Sequence, residues 1–130
     1  MTEPAITGIV IFAHGSRIES ANQAVRDVVD RMAELETYLV EPAFLELGQP
    51  DLAGAVERLV SRGAARIIVI PYFLTLGTHL QRDLPRLAAQ VARHYQNVEI
   101  QVTSPLDGHP ALLQALLDRA SQASPAKKAV

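Results

Sequence analysis

Ile9 to Arg17 reads IVIFAHGSR, and this stretch decides the fold. Ile9 to Ala13 is apolar without interruption, as a strand buried on both faces must be. Such strands lie in the middle of parallel sheets covered by helices, so the stretch reads as a central strand over Ile6 to Ala13. The strand then leaves the core through a histidine and a glycine, His14 and Gly15. Ile67 to Asp83, IIVIPYFLTLGTHLQRD, repeats the pattern: a buried strand over Arg66 to Phe73, then Gly77 and His79. Two strands of one kind each deliver a histidine at their exit.

Working outward, the chain alternates strand and helix. Ser16 and Glu19 have capping-box spacing ahead of Val25, Val28, Val29, Met32 and Leu35, which recur at helical spacing. Tyr38 to Leu45 reads as a second strand interrupted by Glu41 and Pro42. Gln49 reads as a cap before Pro50, which suits the first turn of a helix carrying Leu52, Val56, Leu59 and Val60; Gly63 suits its end. After the third strand, Asp83 and Pro85 read as the opening of a helix with Leu84, Leu87, Ala88, Val91 and Tyr95 on one face. Val98, Ile100 and Val102 alternate with polar residues, as a half-exposed strand does. Pro110 opens a last helix to about Ala120. The domain is expected over 1–122, with 123–130, which holds both lysines, as a frayed tail.

The same residues order the strands. Pro42 cannot donate to a ladder and belongs on an edge, and the alternating fourth strand also suits an edge. The order 2-1-3-4 satisfies both: an α/β three-layer sandwich with a four-stranded parallel sheet, flavodoxin-like in outline. Its switch point lies between strands one and three, where open sheets of this kind bind ligands beyond the strands' carboxyl ends. His14 and His79 are thereby expected at the rim of one crevice.

Composition narrows the function. A chain of 130 residues, 48% apolar and 20% charged, is an ordinary single globular domain. No apolar run approaches the roughly 20 residues that span a bilayer, and MTEPAITG has no basic n-region, so the expectation is a cytoplasmic protein without a membrane partner. The absence of cysteine removes disulfides and thiolate metal sites. A net charge of −2 provides no basic field for nucleic acid.

AHGSR after strand one, FLELGQP after strand two and VIPYFLTLGTHLQRDLP after strand three together resemble the small single-domain type II tetrapyrrole chelatases, the sirohydrochlorin cobaltochelatase family of CbiX-like proteins. The resemblance runs from about Ile9 to Ala120 in a consistent order. It implies a homodimer that inserts a metal into a modified tetrapyrrole, with His14 and His79 as metal ligands. It also matches Gln49 and the loop Leu74, Thr75, Leu76, Gly77, Thr78 and His79 to the family's substrate-contacting segments. Many relatives carry an acidic residue at the place of Gln49, which weakens a contact through its amide. No permanent cofactor is implied. The divalent metal is a substrate, with Co2+ preferred and Fe2+ (siroheme) or Ni2+ as alternatives.

The chemistry agrees with the residues. Insertion removes two pyrrole protons and holds a partly dehydrated metal beside the ring. Imidazole titrates near neutrality and ligates Co, Ni, Fe or Zn, so it suits both tasks. Glu46 at the end of strand two is a third catalytic candidate in a supporting role, as metal ligand, proton acceptor or orienting partner. A substrate with carboxylates around an apolar macrocycle needs a greasy surface and cationic donors, for which Arg17 and Arg82 are the candidates.

Plainer readings compete. His14 or His79 alone is a strand-end histidine bonded to backbone, and Gly15 and Gly77 serve turn geometry under either reading. His94 reads as structural or exposed, and His109, at a helix start, as a cap. Ser16 lacks the G-x-S-x-G elbow of a nucleophile. A non-catalytic metal or tetrapyrrole carrier, or a flavodoxin-like interaction module, remain as rivals of another class.

Overall fold

The computed structural model describes residues 5–123. It contains β1 (Ile6–Ala13), α1 (Glu19–Glu34), β2 (Leu39–Phe44), α2 (Leu52–Ser61), β3 (Ala64–Pro71), α3 (Thr78–Ala92), β4 (Glu99–Val102) and α4 (Pro110–Gln122). The strands form one sheet in the order β2-β1-β3-β4, with every pairing parallel. This is the expected order, with the proline-bearing strand and the alternating strand on the two edges. The expected tail lies outside the described residues beyond Ala123.

Period-two alternation in β1 builds two cores. Val10 and Phe12 point to one face and pack with Leu52, Val56 and Leu59 of α2 and with Leu84 and Val91 of α3. Ile9, Ile11 and Ala13 point to the other and pack with Val25 and Val29 of α1. Full burial of side chains such as Phe12, Leu59 and Ile67 stabilises the fold by about 1.5–3 kcal/mol each.

Four local expectations change. Helix α1 starts at Glu19 with Ile18 as N-cap, so Ser16 is not the cap. The Ser16 hydroxyl accepts from the Ile18 N–H at 3.0 Å, and the Ser16 backbone pairs with the Asn22 side chain instead. The positive φ of Gly15, +93°, turns the chain before helical geometry can begin. Leu35 lies beyond the helix as its C-cap and is exposed rather than part of the apolar stripe.

At α2 the cap is Asp51, whose carboxylate accepts from the Gly54 N–H at 2.8 Å. Gln49 and Pro50 precede it, because the Pro50 carbonyl is taken by the Phe44 N–H at 2.8 Å. Gly63, with φ +99°, ends the helix as expected.

Helix α3 starts at Thr78, five residues before Asp83, and Pro85 lies inside it. Proline favours a first turn, but here its missing N–H deprives only the carbonyl of Gln81. Gln81 and Pro85 are both exposed, so solvent can serve that carbonyl.

Helix α4 buries none of its residues and packs substantially on no other element. Leu113, Leu116 and Leu117 are 63%, 69% and 53% exposed. The α1 side of β3 is correspondingly half-covered at Ile68 and Ile70.

Candidate functional site

Register builds the first half of the site. Ala13 pairs with Phe44 at the carboxyl ends of β1 and β2. The pairing runs on past both strands, through Leu45 N–H to the Ala13 carbonyl at 2.9 Å and Glu46 N–H to the His14 carbonyl at 3.1 Å. His14 and Glu46 are therefore neighbours, with Nε2 and Oε1 3.8 Å apart and each side chain more than half exposed.

The imidazole is held on two sides. Its Nδ1 lies 3.3 Å from the Gly15 carbonyl. A carbonyl only accepts, so this contact needs the Nδ1–H form, which leaves Nε2 as a free lone pair in the neutral ring. The ring also stands edge-on to Phe73, with centroids 6.5 Å apart at 88°. Gly15 makes this approach possible. A Cβ there would fall 1.6 Å from the Glu46 carbonyl oxygen, and its φ of +93° disfavours any other residue.

A buried asparagine fastens the two loops. Asn22, 2% exposed, accepts from the Ser16 N–H and donates to the carbonyls of Ser16 and Leu47, each at 2.9 Å. The loop after His14 is thereby tied to the loop after Glu46. Leu47 itself has φ +56°, and its carbonyl is one that the asparagine satisfies.

The second half of the site comes from α3. His79 is the second residue of that helix and not part of a loop. It shares with His14 a cavity of 610 Å³ whose apolar lining includes Leu45, Phe73, Leu80 and Leu87. Gly77 and Thr78 also line it, and Asp83, Arg86 and Gln90 continue the α3 wall. Among the described residues, no three His, Cys, Asp or Glu side chains gather closely enough for a closed metal cage.

The remaining candidates lie elsewhere. Gln49 lines a different groove with Arg26 and Glu41, and its carbonyl faces Arg26 at 3.5 Å. Arg17 and Arg82 are exposed and do not line the cavity. Leu74 and Thr75 are exposed and Leu76 half-buried, also outside the lining. His109 caps α4, its Nδ1 accepting from the Ala111 N–H at 3.0 Å, as its sequence position suggests. His94 is exposed.

Sequence reasoning misses Asn22, Arg86 and Gln90 altogether and takes Asp83 only as a helix opening. The α3 residues follow His79 at helical spacing (i+4, i+7, i+11), a signal hidden by placing the helix start at Asp83. Asn22 had no signal, since a polar residue on a helix usually faces water.

A parallel α/β sheet that sets two imidazoles on an apolar cleft at its switch point, one of them beside a carboxylate, defines a class of metal-handling, ligand-binding domains. The CbiX family matches residues 8–123, and the chain belongs to that family. It is 37% identical over 113 residues to the chloroplastic sirohydrochlorin ferrochelatase of Arabidopsis thaliana, covering 86% of this chain and 50% of that one. It is 32% identical to the sirohydrochlorin cobaltochelatase of Saccharolobus solfataricus, covering 88% and 94%. The crystal structure of the sirohydrochlorin chelatase SirB from Bacillus subtilis subspecies spizizenii in complex with cobalt superposes with a TM-score of 0.80. That match has 27% identity and covers 89% of this chain and 50% of that chain. The chain thus spans about half the Arabidopsis and Bacillus proteins and nearly all of the Saccharolobus one.

Proposed function

We propose that the chain, acting as a single domain over 1–122, is a sirohydrochlorin cobaltochelatase that inserts Co2+ into sirohydrochlorin. The observation that carries this reading is that His14 and His79 line one apolar cavity, with the Glu46 carboxylate beside His14. A free Nε2 lone pair and a carboxylate oxygen 3.8 Å apart repel each other unless a cation or proton sits between them. The pair therefore suits both the incoming metal and the outgoing pyrrole protons.

In this mechanism the macrocycle lies on Leu45, Phe73, Leu80 and Leu87. His14 is the principal ligand and base, and His79 is its partner. As the metal passes to the ring nitrogens, each imidazole regains its lone pair and takes one pyrrole proton, then loses it to solvent. Glu46 stabilises the imidazolium formed at His14. Gly77 has an ordinary φ of −66° and a Cβ there would meet nothing within 4 Å. The fold does not require a glycine at this position on the cavity, whereas close approach of a flat ring to the backbone does.

The working unit is proposed to be a homodimer. Leu113, Leu116 and Leu117 on an otherwise unpacked α4 support this, because a helix with a wet leucine stripe needs a partner surface. The compartment proposed is the cytoplasm; among the described residues no helix is long and apolar enough to cross a membrane, and the Arabidopsis relative is chloroplastic. Insertion of Fe2+ is the second reading, favoured by the 37% identity to the Arabidopsis ferrochelatase.

Anaerobic visible absorption of sirohydrochlorin with equal Co2+, Fe2+ or Ni2+, against a protein-free baseline, tests the assignment. Accelerated insertion supports it, and the fastest metal ranks the candidates. Pigment binding without acceleration by any metal replaces the chelatase with a carrier.

A further inference from the structure

We propose that Arg86 holds a peripheral carboxylate of the tetrapyrrole and so selects carboxylated macrocycles. This rests on the chelatase reading and goes beyond it by naming the anchor. Arg86 lines the same cavity as His14 and His79, while Arg17 and Arg82 do not. It is the only arginine or lysine among the lining residues of that cavity. Among the described residues it has no carboxylate within ion-pairing distance, whereas Arg26, Arg58, Arg62 and Arg66 are each paired. A guanidinium beside an apolar wall with no partner of its own is set up for an acidic ligand.

Helix geometry gives the spacing. Arg86 lies seven residues after His79 on α3, which is two turns and roughly 10 Å along the axis on nearly the same face. A macrocycle with its central nitrogens near His79 carries its acid side chains out toward that distance. Leu80 and Leu87, on the same stretch of helix, supply the apolar surface between the two points. Asp83 lines the wall one turn nearer His79. Its carboxylate repels an acid group there, so the favourable position for a substrate carboxylate is at Arg86.

The test compares wild type, Arg86→Gln, Arg86→Lys and Arg93→Gln. Arg93 caps the far end of α3 away from the cavity and controls for the change in net charge. The expected result is a KM for sirohydrochlorin raised about tenfold or more in Arg86→Gln, equivalent to about 1.4 kcal/mol. Its kcat and its KM for Co2+ should stay within about twofold, since a charged hydrogen bond made equally in ground and transition states affects binding alone. Arg86→Lys should recover part of the loss, and Arg93→Gln should match wild type. An unchanged sirohydrochlorin KM in Arg86→Gln, with wild type active, overturns the anchor and leaves the chelatase standing. If wild type accelerates nothing, the function fails, and absorbance titration of the pigment against wild type and Arg86→Gln still decides the anchor. Equal affinities in that titration overturn it. Thermal melts by circular dichroism check that Arg86→Gln is folded, and Arg86→Lys carries the comparison if it is not.

Discussion

Nε2 of His14 lies 3.8 Å from Oε1 of Glu46, although the two residues belong to different strands' loops. Backbone hydrogen bonds that extend the β1–β2 ladder beyond its ends hold them there. The relationship is one of main-chain register rather than of side-chain packing. It makes the pair a fixed feature of the sheet, open to solvent on its outer side.

His14→Ala and His79→Ala are each expected to abolish metal insertion. Because both side chains are exposed, the loss of stability should stay within about 0.5–1 kcal/mol. Glu46→Gln should slow insertion by about 10–100-fold without abolishing it, as removal of an orienting partner does. Pre-steady-state absorbance traces beside urea melts give both quantities. Full turnover in His14→Ala would sink the mechanism.

Gly15 and Gly77 should respond in opposite ways. Gly15→Ala forces a Cβ into the Glu46 carbonyl at a positive φ, and should cost at least about 2 kcal/mol together with activity. Gly77→Ala meets nothing, so its melt should be unchanged while the KM for sirohydrochlorin rises. An unaltered KM would mean the macrocycle does not approach Gly77.

Asn22→Ala should strip partners from the Ser16 N–H and from the carbonyls of Ser16 and Leu47. These groups are only part-buried, so each lost partner should cost about 1 kcal/mol, the low end for an unpaired polar group. The loops bearing His14 and Glu46 should loosen, which hydrogen exchange over 14–17 and 45–48 would register as faster exchange. Protection equal to wild type would show that the clamp is dispensable.

Leu116→Glu should convert a dimer to a monomer in sedimentation velocity. Burial of one leucine is worth about 1.5–3 kcal/mol, so even Leu116→Ala should weaken association about tenfold. A wild type that sediments as a monomer at micromolar concentration removes the homodimer from the proposal.

Glu19 gives a pH dependence of stability. Its carboxyl is held below its ordinary value by the hydrogen bond from Arg26 and then by that from Asn22, against a small opposing effect of burial. The folded state thus binds this proton less readily than the unfolded state. The stabilisation is whole above the ordinary carboxylate range and is lost as pH falls through the lowered value. Glu19→Gln should lower the urea midpoint in the neutral region, where the stabilisation is whole, and converge with wild type at acid pH, so that the acid side of the profile is flatter.

The strand order was legible because its causes are local and chemical. Pro42 excludes β2 from the centre, the unbroken apolar run of Ile9 to Ala13 excludes β1 from an edge, and alternation at Ile100 and Val102 puts β4 at one. Strand order in turn places His14 and His79 at one crevice, and both line its cavity. The start of α3 was not legible, since Pro85 is a strong first-turn signal and only its exposure explains why the helix runs through it. With the start at Thr78, His79 and Arg86 lie on one helix seven residues apart.

By itself, then, the sequence determined the sheet, its order and the two histidines, because side-chain period and proline chemistry act within a few residues. Only the tertiary structure decided that Glu46 meets His14, that Asn22 joins their loops, that Arg86 shares their cavity and that α4 stands away from the core. Each of these depends on distances between segments far apart along the chain, which no local pattern encodes.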